Sequence, residues 1–584
     1  MNFESLANEL ILDLFEYFDG FHVLRTFYGL NSRLNQLLCY HFGLYVFNLQ
    51  SMSRSNFDLI CREYLPLISN RVISLQLSND DETPNLLHKF LSRHRFRFDQ
   101  FTSLKSLSLD SIESVELLNQ IVVQCQPLRY LQQLKITNFT VRYVGEQDTD
   151  LMNHIWSLPL IHCCFENFYY NEQCFLDLHV TSNTMNYLAI NGFHFDLTVL
   201  CHLFKYTPAL RRLSFSCHCH ADDELTDPRT SSSIHSFKLD FHGSINVLTV
   251  LFEHLPNLYS LTITMTDACL NGTEWERMLL DYLPNVRKLR FRMNFPLSDN
   301  EENEKQVNRL LQTFQSEFWI EQHQWFVQCD WDASERSELI FVYTLPYDFN
   351  DFFYYDTTQS KSTRSNSIEY PVYDRVRTLR QSFSDDLLMN ETIKLTPRFS
   401  SITDLQLILP LSDHFCSCLT SLNQLKSLHV TVLEKSSYHQ QLQFLLDRAP
   451  NLYSLTLRSQ RHFDIDLTNI SSVSVRRLDL RSKSQYHLDY FDEQDCQFLP
   501  QSSLGKQCEV LLISVKTRST ITELTSRMSN LRSLTFQCKD DKCIHRESIP
   551  GNDKFLQWLS KHLPRKCSII RNEQQLSKIH LWIK

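Results

Sequence analysis

One short phrase returns along most of the chain, and it restricts the possible folds more than any other feature. The phrase reads apolar, two variable residues, Leu or Phe, one variable residue, apolar. Its copies, by residue number, are 72–77, 104–109, 131–136, 165–170, 185–190, 210–215, 234–239, 258–263, 286–291, 376–379, 402–407, 425–430, 452–457, 475–480 and 531–536. Where consecutive copies are clear they lie about 23 to 34 residues apart, which is a spacing typical of repeat architectures.

Each phrase has the alternation of a β-strand, because its Leu positions fall on one face and its polar positions on the other. Helical patterns fill the intervals and stop at a proline, as they do before Pro208, Pro256, Pro284 and Pro450. Proline disfavours a helical conformation in the residue before it, so each one predicts a helix end. A strand–helix unit of this size cannot bury its faces alone. We therefore expect an α/β fold whose units stack into a curved solenoid with a parallel sheet.

The series resembles the leucine-rich-repeat receptors. An Asn or Cys commonly follows the strand in that family, whereas here only Asn138 and Asn191 lie near that place, so the regularity and curvature of the solenoid stay open. Other repeating α/β arrays remain an alternative. The pattern predicts a first repeat segment at 46–295, an interruption at 296–372, and a second repeat segment with a C-terminal helix and closing strands at 373–584.

The interruption has a pattern of its own. Residues 307–314 have helical spacing, and the apolar runs 325–331 and 338–346 predict two strands paired antiparallel. The polar run 356–367 predicts a mobile loop, which we expect to be disordered rather than functional.

The first forty residues have three apolar sets at helical spacing. The first is Leu6, Leu10, Leu14, Phe15 and Phe18, the second Val23, Leu24, Phe27 and Leu30, and the third Leu34, Leu37 and Leu38. Asp19 and Gly20 separate the first two sets, because glycine readily adopts the backbone angles that leave a helix. Three helices this short cannot bury all their apolar faces against one another, so we expect some of these faces to contact something else.

This stretch, residues 1–45, resembles the F-box, the adaptor-binding motif at the front of many ubiquitin-ligase substrate receptors. The matching positions are Leu6, Glu9, Leu10, Ile11, Leu14, Phe15, Tyr17, Phe18, Val23, Leu24 and Arg33. The sequence departs from the family at Ala7, where a proline is usual, and in the third helix, which lacks the usual Cys or Trp. The resemblance implies that Leu6, Glu9, Leu10, Leu14, Phe15, Phe18, Val23 and Leu24 bind a Skp-type adaptor and, through it, a cullin scaffold. The alternative is a helix trio that only caps the core behind it.

By the same resemblance, the chain is a non-catalytic receptor subunit that holds a protein target on its repeats. Exposed strand positions would line the target face, and the candidates are Arg211, Arg212, Tyr259, Arg287, Lys288, Tyr453, Arg476 and Arg477. Their basic character would suit an acidic or phosphorylated target, although such side chains also serve to keep exposed strands soluble. A ligase-independent interaction scaffold is the alternative function.

Composition and motifs exclude several classes. The net charge of −10 and the lack of a basic cluster argue against nucleic-acid binding, and the nine glycines argue against phosphate-binding loops. No apolar run is long enough to span a membrane and no secretory signal is recognisable, so we expect a cytoplasmic or nuclear protein without a membrane partner. We expect no metal or other cofactor, because the Cys and His groups at 217–220 and 416–418 lack the spacing of zinc sites. The group at 538–545 has a looser spacing, and a metal site there is the less favoured alternative. No catalytic motif is present, and an enzyme remains the least supported class.

Overall fold

The computed structural model describes residues 5–18, 20–41, 45–140, 150–218, 233–296, 302–332, 339–355, 358–364, 373–382, 397–433, 438–459, 467, 469–481, 490–541, 553–563, 567–572 and 575–583. These residues form two compact units. The described residues up to 238 belong to the first unit, and those of 239–583 belong to the second. The division therefore falls inside the predicted first repeat segment.

The first unit alternates strands with helices or short helical turns. Its helices are α1 (Asn8–Phe15), α2 (Gly20–Phe27), α3 (Ser32–His41), α4 (Arg54–Leu59), α5 (Leu65–Ile68), α6 (Leu86–His88), α7 (Val115–Cys125), α8 (Asp150–Trp156), α9 (Gln173–Leu176) and α10 (Leu197–Tyr206). Its strands are β1 (Tyr45–Asn48), β2 (Val72–Ser78), β3 (Ser106–Asp110), β4 (Gln133–Thr140), β5 (His162–Tyr169), β6 (Tyr187–Phe195) and β7 (Arg212–His218). All seven pair in parallel, in chain order.

The repeated phrase sets the register of this sheet. Leu75 pairs with Leu107 and Leu107 with Leu134, and all three side chains are buried. The phrase predicted at 165–170 is in the wrong phase. Leu134 pairs with Cys163, so the repeat position falls within 160–165 and the aromatic run after it belongs to the end of β5. A buried cysteine stands where the other copies have leucine or phenylalanine, and the neighbouring phenylalanines gave a second, misleading match.

A row of residues with positive φ crosses this part of the sheet at one register position, inside β4, β5 and β6 and just after β3. Ser111, Asn138, Asn167 and Gly192 each come directly after paired residues of β3, β4, β5 and β6, and all four have positive φ. The Asn167 amide donates to Asn138 Oδ1 at 2.9 Å, so side chains also connect the row. Asparagine and glycine are the residues that adopt this conformation at least cost.

Strand β8 (Ser236–His242) spans the division, and the rest of the second unit follows it. The helices of this unit are α11 (Ile245–Glu253), α12 (Gly272–Tyr282), α13 (Asn303–Thr313), α14 (Asp413–Cys418), α15 (Tyr438–Asp447), α16 (Glu493–Phe498), α17 (Ser503–Gln507), α18 (Arg518–Arg527) and α19 (Lys554–His562). Its strands are β9 (Ser260–Thr266), β10 (Lys288–Pro296), β11 (Phe326–Asp332), β12 (Leu339–Leu345), β13 (Asp351–Tyr355), β14 (Thr358–Ser362), β15 (Thr378–Ser382), β16 (Asp404–Leu409), β17 (Ser427–Val432), β18 (Ser454–Ser459), β19 (Arg477–Asp479), β20 (Val510–Val515), β21 (Ser533–Cys538), β22 (Ser568–Arg571) and β23 (Ile579–Trp582).

Parallel pairing dominates the second unit as well. Strand β9 pairs in parallel with β10, and a separate parallel series runs β13, β15, β16, β17, β18, β19, β20 and β21. The closing strand β23 pairs antiparallel with β21, and β22 pairs antiparallel with β23. The predicted α/β class with mostly parallel sheets is confirmed. The helices predicted before the four prolines are present as α10, α11, α12 and α15.

The interruption differs from its prediction in two places. The hairpin is confirmed, since β11 and β12 pair antiparallel and β12 adds to β10. The prediction of a loop at 356–367 is wrong for its central part, because β14 pairs with β11 there; residues 356–357 and 365–367 lie outside the described residues. Strand β13 was assigned to the interruption but pairs in parallel with β15, and its Phe352 pairs with Leu379. The repeat series therefore resumes earlier than the sequence indicated.

Candidate protein-binding surfaces

The three N-terminal helices bury one set of apolar side chains among themselves and against β1. Phe15, Val23 and Leu24 lie in this core, and the rings of Phe15 and Phe27 are 4.9 Å apart. Helix α2 approaches β1 so closely that a Cβ on Gly20 would lie 3.2 Å from the Val46 carbonyl oxygen. Three of the eight predicted adaptor-binding residues thus lie inside the protein.

Other apolar side chains, in α1 and in the turns after α1 and α2, face outward. The exposed fractions are 55% for Leu10, 85% for Tyr17, 48% for Phe18 and 63% for Leu30. We call these four residues the N-terminal apolar surface. Of the remaining predicted residues, Leu6 and Leu14 are half-buried and Glu9 is exposed. The sequence pattern placed Leu10 and Phe15 on one face, whereas packing buries Ile11 with Phe15 and leaves Leu10 exposed.

Arg33 holds the start of α1. Its Nη2 donates to the Leu6 carbonyl oxygen at 2.6 Å and its Nε donates to Asn8 Oδ1 at 2.9 Å. Ala7 stands at the N-cap position with φ −61° and makes no side-chain cap. The backbone therefore has the dihedral angle that a proline would fix, although this chain has alanine there.

The eight predicted target-binding residues lie at or near the starts of strands, two in the first unit and six in the second. Arg211 and Arg212 are exposed at the start of β7 in the first unit. In the second unit, Arg287 and Lys288 are exposed at the start of β10, and Lys288 Nζ lies 5.8 Å from the centre of the Tyr259 ring. Tyr453, Arg476 and Arg477 are half-buried near the starts of β18 and β19.

Tyr453 and Arg476 belong to a connected polar group that the sequence did not predict as a whole. Arg532 Nε donates to Glu509 Oε2 at 3.1 Å, and Arg532 Nη2 donates to the Tyr453 hydroxyl at 2.9 Å. Arg476 Nε lies 3.7 Å from Glu509 Oε1. Glu509 was missed because it precedes β20, a strand that the sequence analysis did not identify. The repeated phrase that contains this strand begins with Cys508, and all six residues of β20 are buried.

A second charged group lies along β18 and β19. The Asp479 carboxylate accepts hydrogen bonds from Arg458 Nη1 at 3.2 Å and from Arg481 Nε at 3.1 Å, and Nη2 of each arginine reaches its other oxygen. Burial alone would raise the pKa of Asp479, but the hydrogen bonds and charges of Arg481 and Arg458 outweigh it and lower the pKa to about 2. Burial and the charge of Arg458 lower the pKa of the nearby His429. Asp479 therefore carries its charge at neutral pH.

The hairpin contributes a buried polar cluster around Asp330. Its carboxylate accepts from the Tyr343 hydroxyl at 2.5 Å and the Ser360 hydroxyl at 2.6 Å, and Tyr343 is 2.9 Å from the Tyr373 hydroxyl. Burial raises the pKa of Asp330. Two cavities that Asp330 helps to line have inner volumes of about 20 Å³ each, enough for about one water molecule. These cavities are too small for an organic substrate, and the cluster is a satisfied polar core that ties β14 to the hairpin.

The described cysteines of the candidate metal-binding groups lie at strand ends or in a helix. Cys217 and Cys538 are buried at strand ends, and burial raises the pKa of Cys538 to about 12, which disfavours the thiolate that a metal needs. Cys416 and Cys418 lie in α14. His218 ends β7, whereas Cys219, His220, Cys543 and His545 lie outside the described residues. Within the described ranges, no group of three or more His, Cys, Asp or Glu side chains is arranged to hold a metal ion.

No protein-family model matches the chain. No curated protein is similar enough to match it either. Among the described segments, every helix is too short or too polar to cross a bilayer.

Proposed function

We propose that this protein is the substrate-recognition subunit of a Skp–cullin–F-box ubiquitin ligase. The N-terminal helices would bind a Skp-type adaptor, and through it a cullin, while the repeated strand–helix units would form a solenoid that holds a protein target. The observation that carries the proposal is the N-terminal apolar surface. Large apolar side chains of α1 and of the turns after α1 and α2 face solvent, although deeper side chains of the same helices are well packed.

The buried residues have a supporting role in this proposal. Phe15, Val23 and Leu24 would not touch the adaptor but would fix the helices from beneath. Leu10 and Phe18 would be the contacts, with Leu6 and Leu14 at the margin. Exposed apolar and aromatic side chains on a rigid support are the residues that dominate binding energy at protein interfaces.

The proposed subunit would accelerate ubiquitin transfer without chemistry of its own. Holding the target near a ubiquitin-charged enzyme replaces a bimolecular encounter with one at high effective concentration. The function therefore needs two binding surfaces and no catalytic residue.

One observation favours the ligase-independent scaffold as a second candidate. Helix α2 packs directly on β1, and Arg25 Nη1 donates to Asn56 Oδ1 at 3.4 Å, so the N-terminal helices also serve as a cap on the first strand. A cap of this kind would be needed in a scaffold that binds no adaptor.

A binding assay with the purified Skp-type adaptor separates the two candidates. The full-length wild type should bind, and Leu10→Asp should weaken binding at least about tenfold, because a central apolar contact is worth roughly 1–2 kcal/mol or more. Leu67→Asp is the matched control, since Leu67 is 59% exposed in α5 of the same unit and lies outside the N-terminal apolar surface. Absence of adaptor binding by the wild type would refute the receptor proposal and favour the scaffold. If both variants weakened adaptor binding equally, the N-terminal apolar surface would not be the adaptor-binding site.

A further inference from the structure

The residues that directly precede β15 to β19 form one row along the beginnings of these strands. The row consists of Arg377, Thr403, Lys426, Tyr453 and Arg476. Backbone hydrogen bonds of 2.8 to 2.9 Å connect the row, because the N–H of each residue donates to the carbonyl oxygen of the residue before it in the row. We call this set the strand-start row.

Positive charge occupies every second place in the strand-start row. Arg377, Lys426 and Arg476 alternate with the uncharged Thr403 and Tyr453. Neighbouring strands lie about 4.7–4.9 Å apart, so successive cations are about 9–10 Å apart along the row. This regular spacing sits in a chain whose net charge is −10.

The first two cations are available to a partner. Arg377 and Lys426 are both exposed. Arg377 Nη1 donates to the Ser401 carbonyl at 2.8 Å and to Gln424 Oε1 at 3.3 Å, which are neutral acceptors. Within the described parts of the chain, neither Arg377 nor Lys426 forms an ion pair with a carboxylate.

The chain itself provides an example of what binds between such residues. Glu509 precedes β20 and continues the strand-start row, and its carboxylate lies between Arg532, at 3.1 Å, and Arg476, at 3.7 Å. A carboxylate therefore fits this edge of the strands when cations stand on both sides of it. The equivalent space between Arg377 and Lys426 has the neutral Thr403 in place of a glutamate.

We propose that the strand-start row binds an extended acidic segment of a partner protein, with carboxylates at about every third residue. A segment in polyproline II conformation repeats every three residues and rises about 3.1 Å per residue, so every third side chain falls on one side about 9 Å apart. That distance matches the spacing of the cations. The inference rests on the proposed function, because the segment would belong to the target of the receptor.

Fluorescence anisotropy with the full-length protein tests this inference. The probe is a fluorescein-labelled peptide of about 12 residues that repeats Glu-Pro-Ala, whose proline content favours polyproline II. The wild type should bind it, and binding should weaken as the salt concentration rises from about 0.01 to about 0.1 M. The double variant Arg377→Glu with Lys426→Glu should bind about tenfold more weakly, since each exposed ion pair is worth up to about 1 kcal/mol and each reversal adds repulsion.

The control reverses two exposed cations of the first unit that lie outside the candidate target-binding residues. Lys105→Glu with Arg129→Glu changes the net charge equally and should leave peptide affinity unchanged. An equal loss in the control, or no peptide binding by the wild type, would overturn the inference. Tighter binding of a single-stranded oligonucleotide of similar length would also overturn it, in favour of a general polyanion surface.

The adaptor assay distinguishes this failure from that of the proposed function. Both charge-reversal variants should retain wild-type affinity for the Skp-type adaptor, because the substitutions lie outside the N-terminal helices. A wild type that binds the adaptor but not the peptide would refute only the inference about the strand-start row. A wild type that binds the peptide but not the adaptor would refute the receptor proposal and favour a scaffold that binds an acidic segment.

Discussion

Substituting Gly192 by alanine should destabilise the first unit strongly. Gly192 lies in β6 with φ +114°, and it belongs to the row of residues with positive φ that crosses the sheet. A Cβ at this position would lie 2.5 Å from Asn167 Cα, 2.9 Å from Asn167 N and 3.0 Å from Phe168 N. All three atoms are backbone atoms of β5, so no side-chain rotation can relieve the contact.

The magnitude follows from two costs. A non-glycine residue in this region of backbone space costs about 1–3 kcal/mol. Forcing β5 and β6 apart to admit the methyl group costs roughly 1–3 kcal/mol more, as overpacking does elsewhere. We expect the free energy of unfolding of the first unit to fall by the sum of the two costs, about 2–6 kcal/mol.

Gly29→Ala is the matched control. Gly29 has φ +83°, yet within the described residues no atom lies within 4 Å of the position that a Cβ would take, so only the backbone strain of about 1–2 kcal/mol applies. The entropy that alanine removes from the unfolded chain is the same in both variants and cancels in the comparison.

Native-state hydrogen exchange read by mass spectrometry provides the assay, because it reports on each unit separately. Peptides from β5 and β6 should lose more protection in Gly192→Ala than in Gly29→Ala, by about the 1–3 kcal/mol that overpacking adds. Equal losses in the two variants would refute the reasoning, since the backbone contact would then contribute nothing.

Two further predictions concern the start of α1 and the charged group on β19. Ala7→Pro should stabilise the N-terminal helices by about 0.4–1 kcal/mol, because φ is already −61° and no backbone hydrogen bond from the Ala7 N–H is present in the described structure; a decrease in hydrogen-exchange protection of α1 would contradict this. Asp479→Asn should cost about 2 kcal/mol at neutral pH, since the folded pKa of about 2 lies below the reference value of 3.8. A carboxyl whose pKa is lower in the folded state stabilises the folded protein at pH values above its unfolded-state pKa. That stabilisation is lost as the pH falls through the folded-state pKa. Urea unfolding should therefore show the difference from wild type narrowing between about pH 4 and pH 2, and equal stability at pH 7 would argue against the ion-pair group.

Much of the fold could be predicted because its strands follow one local rule. In the copies at 104–109 and 131–136, leucines alternate with polar residues, and the structure buries the former in register. Prolines marked helix ends for an equally local reason, since they constrain the residue directly before them. Neither inference required knowledge of which strands are neighbours.

Three strands were mispredicted because burial or residue type obscured the alternation of leucines with polar residues. Strand β20 was missed because both of its faces are buried and its residues do not alternate. Strand β13 was placed in the interruption because Phe352 and Tyr354 occupy the leucine positions. Strand β14 was predicted as a loop, since Thr358–Ser362 is wholly polar and owes its conformation to hydrogen bonds with β11.

The candidate surfaces were less predictable than the fold. Helical spacing indicated α1 and α2 but could not distinguish a face that contacts β1 from one that faces solvent, so it joined the exposed Leu10 with the buried Phe15. The strand-start row was only partly visible, because Arg377, Lys426 and Arg476 are separated by about fifty residues at each step.

The sequence by itself determined that this chain alternates strands and helices, that the leucines of its repeated phrase face inward, and that about the first forty residues form three helices. These properties depend on residues a few positions apart, whose spacing fixes which side of an element they occupy. Only the tertiary structure decided the register of β5 on β4, the return of the repeat at β13, and the even spacing of the cations in the strand-start row. Each of these depends on hydrogen bonds between segments distant in the chain, and such pairing is set by the packing of neighbouring strands rather than by the local pattern of either one.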